Sequence, residues 1–404
     1  MTAWQIYPLG FCGAPKFAGD ETGIQHRLTK IDAWLDYAAD LGFDAIALNP
    51  IFASVSHGYD TVDYYRIDPR LGDQGDFEDL AQAVHGHGMK LYLDGVFNHV
   101  SASHPLFLKA VQDGQGSEAG QMFRWFGDQP YLFEGSEGMV TLNHSSQAVA
   151  ALVVDVMKHW LGLGADGWRL DAAYAVPADF WSRVLPSVRA GFPGVYIWGE
   201  QLHGDYAAFV EKSGANSATQ YELWKAIWSS IKSKNFWELS WALKRHQHFL
   251  QTFSPVTFVG NHDVTRVATQ VGEDGAVLAL AVLMTVGGSP HIYYGDEQGY
   301  TGTKYERAGG DDEIRPPYPD TPDQMSALGA KVYQAHKDLI AMRNARPWLD
   351  RALTTENKLM NEHYSYTTRG DGVSLTTTLN VQNDGHPWVE VRDERGTVVY
   401  AYHA

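Results

Sequence analysis

KLYLDGVFN (residues 90–98) is a short run in which apolar residues lead to an acid, a glycine and an amide. Such a run, bounded by turn formers, reads as a buried strand whose polar side chains collect at its C-terminal end. Working outward, seven more runs have the same character: AWQIYPL (3–9), FDAIALN (43–49), ADGWRLD (165–171), VYIWGE (195–200), SATQYE (217–222), VTFVGNHD (256–263) and HIYYGDE (291–297). Between them lie longer stretches, clearest at 28–41, 77–87, 147–163, 276–284 and 324–343, where apolar residues return at three- and four-residue spacing. Strands alternating with amphipathic helices build a parallel sheet, and eight such pairs close into a (β/α)8 TIM barrel.

The barrel accounts for residues 1–99 and 146–345. Residues 100–145, between the third strand and its helix, hold no sustained period and read as an inserted subdomain, because long connections in compact domains are usually functional. After Arg346-Pro347, short alternating runs (YSYTTR, VSLTTTL, WVEV, TVVYAY) separated by Gly and Asn-Asp-Gly turns predict a C-terminal antiparallel β domain over 346–404.

A chain of 404 residues with 48 acidic and 31 basic side chains carries a formal charge of −17, which opposes binding to a nucleic-acid backbone and suits a neutral substrate. The expectation is that the chain neither binds nucleic acid nor enters a membrane. The single cysteine, Cys12, excludes an intrachain disulfide. The opening TAWQIYPLGF reads as a strand rather than a secretory leader, so the cytoplasm is the favoured location, with a processed secreted form the alternative. Oligomeric state is not legible.

In a barrel, side chains from distant parts of the chain converge at the C-terminal rim of the strands. Four rim segments here end in charged or imidazole groups: Asp94, Asn98 and His99; Arg169 and Asp171; Glu200; His262 and Asp263. Arg169 and Asp171, two residues apart, share a strand face, so the guanidinium is expected to orient the carboxylate and keep it ionised. Paired carboxylates facing one cleft are what acetal cleavage between sugars needs, one to protonate the leaving oxygen and one to meet the oxocarbenium-like centre.

DGVFNH, GWRLDAA, WGE and FVGNHD, in this order, resemble the four hallmark segments of the α-amylase family, glycoside hydrolase family thirteen. The resemblance implies that Asp171 is the nucleophile of a retaining mechanism, Glu200 the general acid and base, and Asp263 a third carboxylate that grips the distorted ring. It implies that His99, Arg169 and His262 bind the sugar at the cleaved bond. In HGYDTVDYYRIDPRLG (57–72), Tyr59 is similar to the family's aromatic platform, while Asp60 either joins the substrate or braces its loop. Asp311 and Arg315 in GGDDEIR (309–315) are similar to a pair that holds donor-side sugars.

One departure matters. Amylases with a structural calcium commonly follow the nucleophile with a stretch ending in Lys-His, and here it is Ala172-Ala173-Tyr174-Ala175. Asn98 alone does not make a site for an ion that takes six or more oxygens. No metal or other cofactor is therefore expected for the chemistry, and the acceptor contacts are expected to differ from those of starch-degrading amylases. The implied activity is hydrolysis of α-1,4 bonds in α-glucans or maltooligosaccharides. Alternatives left open are a transglycosylase, an exo-acting α-glucosidase or cyclodextrin-cleaving enzyme, and a non-catalytic sugar-binding relative.

Overall fold

The computed structural model describes residues 1–307, 309–382 and 386–404. Eight parallel strands form the centre: β1 (Ala3–Ile6), β2 (Ala45–Leu48), β3 (Lys90–Gly95), β4 (Gly167–Leu170), β5 (Tyr196–Gly199), β6 (Ser217–Ala218), β7 (Val256–Phe258) and β8 (Ser289–Tyr293). Their spatial order is β6-β5-β4-β3-β2-β1-β8-β7, and a parallel bridge from Thr219 to Val256 joins the two ends into a ring.

The strands are shorter than the apolar runs that predict them, because the last residues of each run leave the ladder to form the rim. They remain tied to it: the Asp171 N–H donates to the Gly95 carbonyl at 3.0 Å and the Glu200 N–H to the Leu170 carbonyl at 2.9 Å. SATQYE is mostly not strand, since the Gln220 side chain accepts from the Leu223 N–H and caps the helix Tyr221–Ser233. The helix expected over 28–41 is broken into Thr29–Asp32 and Leu35–Leu41.

Alternation along the strands separates two apolar layers. Trp4, Ile46, Leu91, Trp168 and Ile197 face the outer helices and join the main core, whereas Ala3, Ala45, Ala47, Tyr92, Trp198 and Val256 form a separate cluster. The alanines of β1 and β2 leave room for Tyr92 and Trp198, whose rings meet edge-on at 5.4 Å. The helix Val267–Thr285 is long and apolar enough to cross a membrane, but it is kinked at Gly272, and 67% of its apolar window is buried inside the protein.

Between β3 and the helix Gln147–Gly162, the chain forms a helix (Pro105–Asp113), a two-residue-stranded hairpin (Trp125–Phe126 with Gln129–Pro130) and an antiparallel pair (His99–Ser101 with Met139–Thr141). The C-terminal strands β9 (Leu353–Leu359), β10 (His363–Gly370), β11 (Val373–Asn380), β12 (Trp388–Asp393) and β13 (Val398–His403) make an antiparallel meander in sequential order. The Asn-Asp-Gly turn at 383–385 lies outside the described residues.

β4 pairs with β3 and β5 over its whole length, setting Arg169 opposite Asp94 on one side and Trp198 on the other. Gly167 makes this approach possible, because a Cβ there would lie 2.0 Å from the Tyr196 carbonyl oxygen. Gly167→Ala is expected to destabilise the chain by about 1–3 kcal/mol through forced separation of β4 from β5; urea unfolding gives the figure, and an unchanged midpoint would contradict this packing.

Candidate active site

At the rim, one guanidinium organises three carboxylates. Arg169 Nη1 donates to Asp94 Oδ2 at 2.5 Å and to Asp171 Oδ1 at 3.2 Å, and its Nη2 pairs with Glu200 Oε1 at 2.7 Å. All four side chains are buried. Glu200 Oε2 accepts from the Ala172 N–H at 3.0 Å, and Oε1 also accepts from the Tyr221 hydroxyl at 3.2 Å. Ala172 takes a left-handed φ of 45°, strained for a residue with a Cβ, and this turn aims its N–H at Glu200.

Asp263 is held from a second direction. Arg315 Nη2 reaches Asp263 Oδ1 at 2.8 Å and Asp311 Oδ2 at 3.1 Å, while its Nε donates to the His262 carbonyl at 2.9 Å. The amides Gln5 Nε2 and Asn49 Nδ2 lie 3.0 and 3.2 Å from His262 Nδ1. Amide nitrogens only donate, so Nδ1 is the acceptor and Nε2–H is the donor. Nε2 faces Asp263 Oδ2 at 2.9 Å and the Tyr59 hydroxyl at 2.5 Å, and the rings of Tyr59 and His262 stack at 5.4 Å. His99 Nε2 faces the Tyr59 carbonyl at 3.1 Å, and its ring stacks on Phe133 of the inserted segment at 4.3 Å.

The cleft above these groups encloses about 420 Å³, enough for one to a few sugar rings, and Tyr59, His99, Asp171, Glu200, Asp263, Asp311 and Arg315 all line it. Arg169 and His262 lie just beneath, in the polar end of the barrel interior. Asp60 stands apart: it does not line the cleft, and both its oxygens accept from Ser56, the backbone N–H at 3.1 Å and the hydroxyl at 2.6 Å. Its position is that of a loop brace. His57, Glu134, Tyr174, Tyr221 and Lys304 also line the cleft, although the sequence carries no spacing that marks them.

The electrostatics differ from the expectation for Asp171. Burial pushes its carboxyl well above the ordinary range; Arg169 opposes this, while Glu200, Asp94 and Asp263 add to it. The guanidinium is divided among three acids instead of being dedicated to one, so it offsets less of the burial penalty on Asp171 than a dedicated pair would. Asp94 is likewise raised by burial against the pull of Arg169. Asp263 goes the other way: burial would raise it, but His262, Arg315 and Arg169 together keep it well below the ordinary range. His99 is lowered to about 4 by burial and is neutral, as a hydrogen-bonding group for a neutral sugar should be.

The model of the α-amylase catalytic domain matches residues 5–126 and 117–350, which is most of the chain and includes every rim group described above. The chain belongs to the α-amylase family. Similar proteins include alpha-amylase 3 of Dictyoglomus thermophilum, 32% identical over 376 residues covering 86% of this chain and 72% of that protein. A cyclomaltodextrinase of Geobacillus thermopakistaniensis is 33% identical over 345 residues, 81% of this chain, which spans only 56% of that protein's length. The crystal structure of an α-amylase from H. orenii superimposes with a TM-score of 0.80 at 26% identity, covering 96% of this chain and 91% of that one.

The Lys-His stretch that accompanies a structural calcium in some α-amylase-family members is Tyr174-Ala175 in this chain. Asn98 is buried with its amide nitrogen 3.1 Å from His99 Nδ1. After Asp171, the Ala172 carbonyl accepts from the Ala175 N–H, and the Tyr174 N–H is spent on the Glu200 carbonyl. Among the described residues, the grouping of possible ligands is His26, Asp73 and Asp76, where Asp73 and Asp76 already cap the helix Gln74–Gly86.

Arg169→Met removes the shared cation and leaves buried carboxylates uncompensated, a loss expected to be about 3–5 kcal/mol near neutral pH. Without the cation, the folded-state pKa values of Asp94 and Asp171 rise further above their unfolded values, which penalises folding as pH rises. The deficit is therefore expected to shrink as pH falls toward about 4, and urea unfolding of wild type and variant across pH checks it; a deficit that grows in acid would overturn the arrangement.

Proposed function

We propose that the chain is a retaining glycoside hydrolase that cleaves α-1,4 bonds of maltooligosaccharides through a covalent glycosyl-enzyme. The observation that carries this reading is that Asp171 and Glu200 share one guanidinium, at 3.2 and 2.7 Å. A guanidinium common to both holds the two carboxyl groups on one side of the cleft, and retention calls for a separation of about 5–5.5 Å between them.

In the first step, the Glu200 carboxyl gives its proton to the glycosidic oxygen while an Asp171 oxygen attacks the anomeric carbon; the bond to the leaving sugar breaks, and that sugar departs with the proton. In the second, water attacks the same carbon, Glu200 takes the water's proton, and the bond to Asp171 breaks to release the α-anomer. The mechanism needs the proton on Glu200 and an ionised Asp171 once the sugar is seated. Asp263, kept ionised, is suited to accept sugar hydroxyls and to stabilise the cationic ring, with Tyr59 beneath it and His99, Arg169 and His262 around it. Arg315 positions Asp263 and, with Asp311, holds the neighbouring donor-side sugar. The names of the relatives support linear and cyclic maltodextrins as the substrate class.

Asp171→Asn and Glu200→Gln are each expected to lower kcat on maltotetraose by about 10³-fold or more, and NMR of the wild-type reaction should show the α-anomer appearing first. A β-anomer would refute retention. Because burial and neighbouring acids raise Asp171, the acidic limb of kcat/KM should lie above the ordinary aspartate value of about 3.9. Asp94→Asn removes one of those negative neighbours and frees part of the Arg169 charge, so the limb should move to lower pH; a pH–rate profile that moves it upward would contradict the charge sharing.

A further inference from the structure

The helix Trp237–Thr252 presents two tryptophans to solvent, Trp237 at 57% and Trp241 at 61% exposure, in a chain that buries Trp4, Trp34, Trp168 and Trp198. Residues four apart on a helix stand one above the other, about 6 Å apart, so the two indoles form one row. Trp237 is held in place: its indole N–H donates to Asn361 Oδ1 at 2.9 Å, in the turn between β9 and β10, and the Asn361 carbonyl accepts from the Phe236 N–H at 3.0 Å. An indole whose single polar atom is bound leaves apolar ring surface to water. Beside the row, a groove of about 310 Å³ runs between this helix and the C-terminal domain, with Ser240, Lys244 and Gln247 on one wall and Thr354, Thr355 and Glu356 on the other. Lys244, three residues past Trp241, joins the row to the groove.

Charge and area select the occupant. Lys244 Nζ lies 3.5 Å from Glu356 Oε2, which also accepts from the Ser240 hydroxyl, and Glu238 is spent on Lys225 at 2.7 Å and the Ser229 hydroxyl at 2.6 Å. The charges beside the tryptophans are thus balanced within the protein, which favours a neutral ligand over a phosphate backbone. The two indoles together expose about 300 Å², short of the ~800 Å² that each partner of a stable protein interface buries. A pyranose meets both limits: its CH face packs on an indole, and its hydroxyls suit the amide, hydroxyl and charged groups of the groove. We propose that Trp237, Trp241 and this groove form a second carbohydrate site, which holds one stretch of an α-glucan chain while the cleft cleaves another. The helix Tyr221–Ser233 separates the two sites: it is about 18 Å long, Tyr221 at its start reaches Glu200, and the turn after its end leads to Trp237. An oligosaccharide short enough to fit the cleft occupies one site at a time, whereas a long or branched glucan occupies both, and its hold on the tryptophans raises its effective concentration at the cleft.

The choice of an α-glucan rests on the hydrolase reading, and amylopectin and maltotetraose separate this site from the cleft. Trp241→Ala, which leaves the bond between Trp237 and Asn361 in place, should weaken binding to amylopectin about tenfold, read as gel mobility against polymer concentration in the Asp171→Asn background, where the polymer stays intact. With Asp171 present, the same substitution should lower kcat/KM on amylopectin about fivefold and leave kcat/KM on maltotetraose within about twofold. Trp241→Phe, which keeps a smaller ring, should fall between wild type and Trp241→Ala on amylopectin alone. Equal losses on both substrates, or unchanged binding to amylopectin, overturn the site; so does a wild-type dimer in light scattering that Trp241→Ala converts to monomer with amylopectin binding unaltered. A wild type that hydrolyses neither glucan yet is retarded by amylopectin through Trp241 overturns the hydrolase reading and keeps the site; hydrolysis of both with retardation independent of Trp241 overturns the site alone.

Discussion

Three buried carboxylates around one buried guanidinium form the constraint on which the site depends. Coulomb repulsion among Asp94, Asp171 and Glu200 would drive them apart or protonate them, and the attraction of Arg169 holds them within hydrogen-bonding distance of a single group. Each partner also has a backbone reason to be where it is. Arg169 stands opposite Asp94 in the β3–β4 register, and the backbone N–H groups of Asp171 and Glu200 extend the ladder past the strand ends. The cluster is thus positioned by the sheet before its electrostatics act.

A second layer fixes the loop that brings Asp311 and Arg315 to the cleft. Fully buried Arg266 donates through its backbone N–H to the Gly302 carbonyl at 3.0 Å and through Nη2 to the Ile314 carbonyl at 2.8 Å, so one residue grips both feet of that loop. Asp296 neutralises it at 2.9 Å, and the Tyr293 ring lies 4.2 Å from its guanidinium carbon. Arg315 immediately follows Ile314, and its hold on Asp263 therefore starts from a pinned backbone.

The barrel and the rim acids were legible because both follow from local rules: apolar runs of strand length, helical periods between them, and acids at the ends of those runs. The family resemblance rests on the same rim segments. Residues from single positions were not legible. Tyr221 reaches Glu200 from a helix whose cap, Gln220, ends what the alternation marks as a strand. Asn49 and Gln5 carry no motif yet determine the donor and acceptor nitrogens of His262. Charge sharing escaped the sequence for a different reason: Arg169 and Asp171 two apart predict a pair, while Asp94 and Glu200 enter only when β3, β4 and β5 lie side by side. Asp60 shows the converse, an acid in a motif-like segment whose oxygens are already used by Ser56.

The ring of strands is not uniformly stitched. β4 is laddered along its full length to both neighbours, whereas β6 and β7 meet through the Thr219–Val256 bridge outside the named strands. Mechanical compliance in a closed ring concentrates at its least bonded joint. Asp171 therefore sits on the stiff arc, while Asp263, rising from β7, borders the more compliant joint.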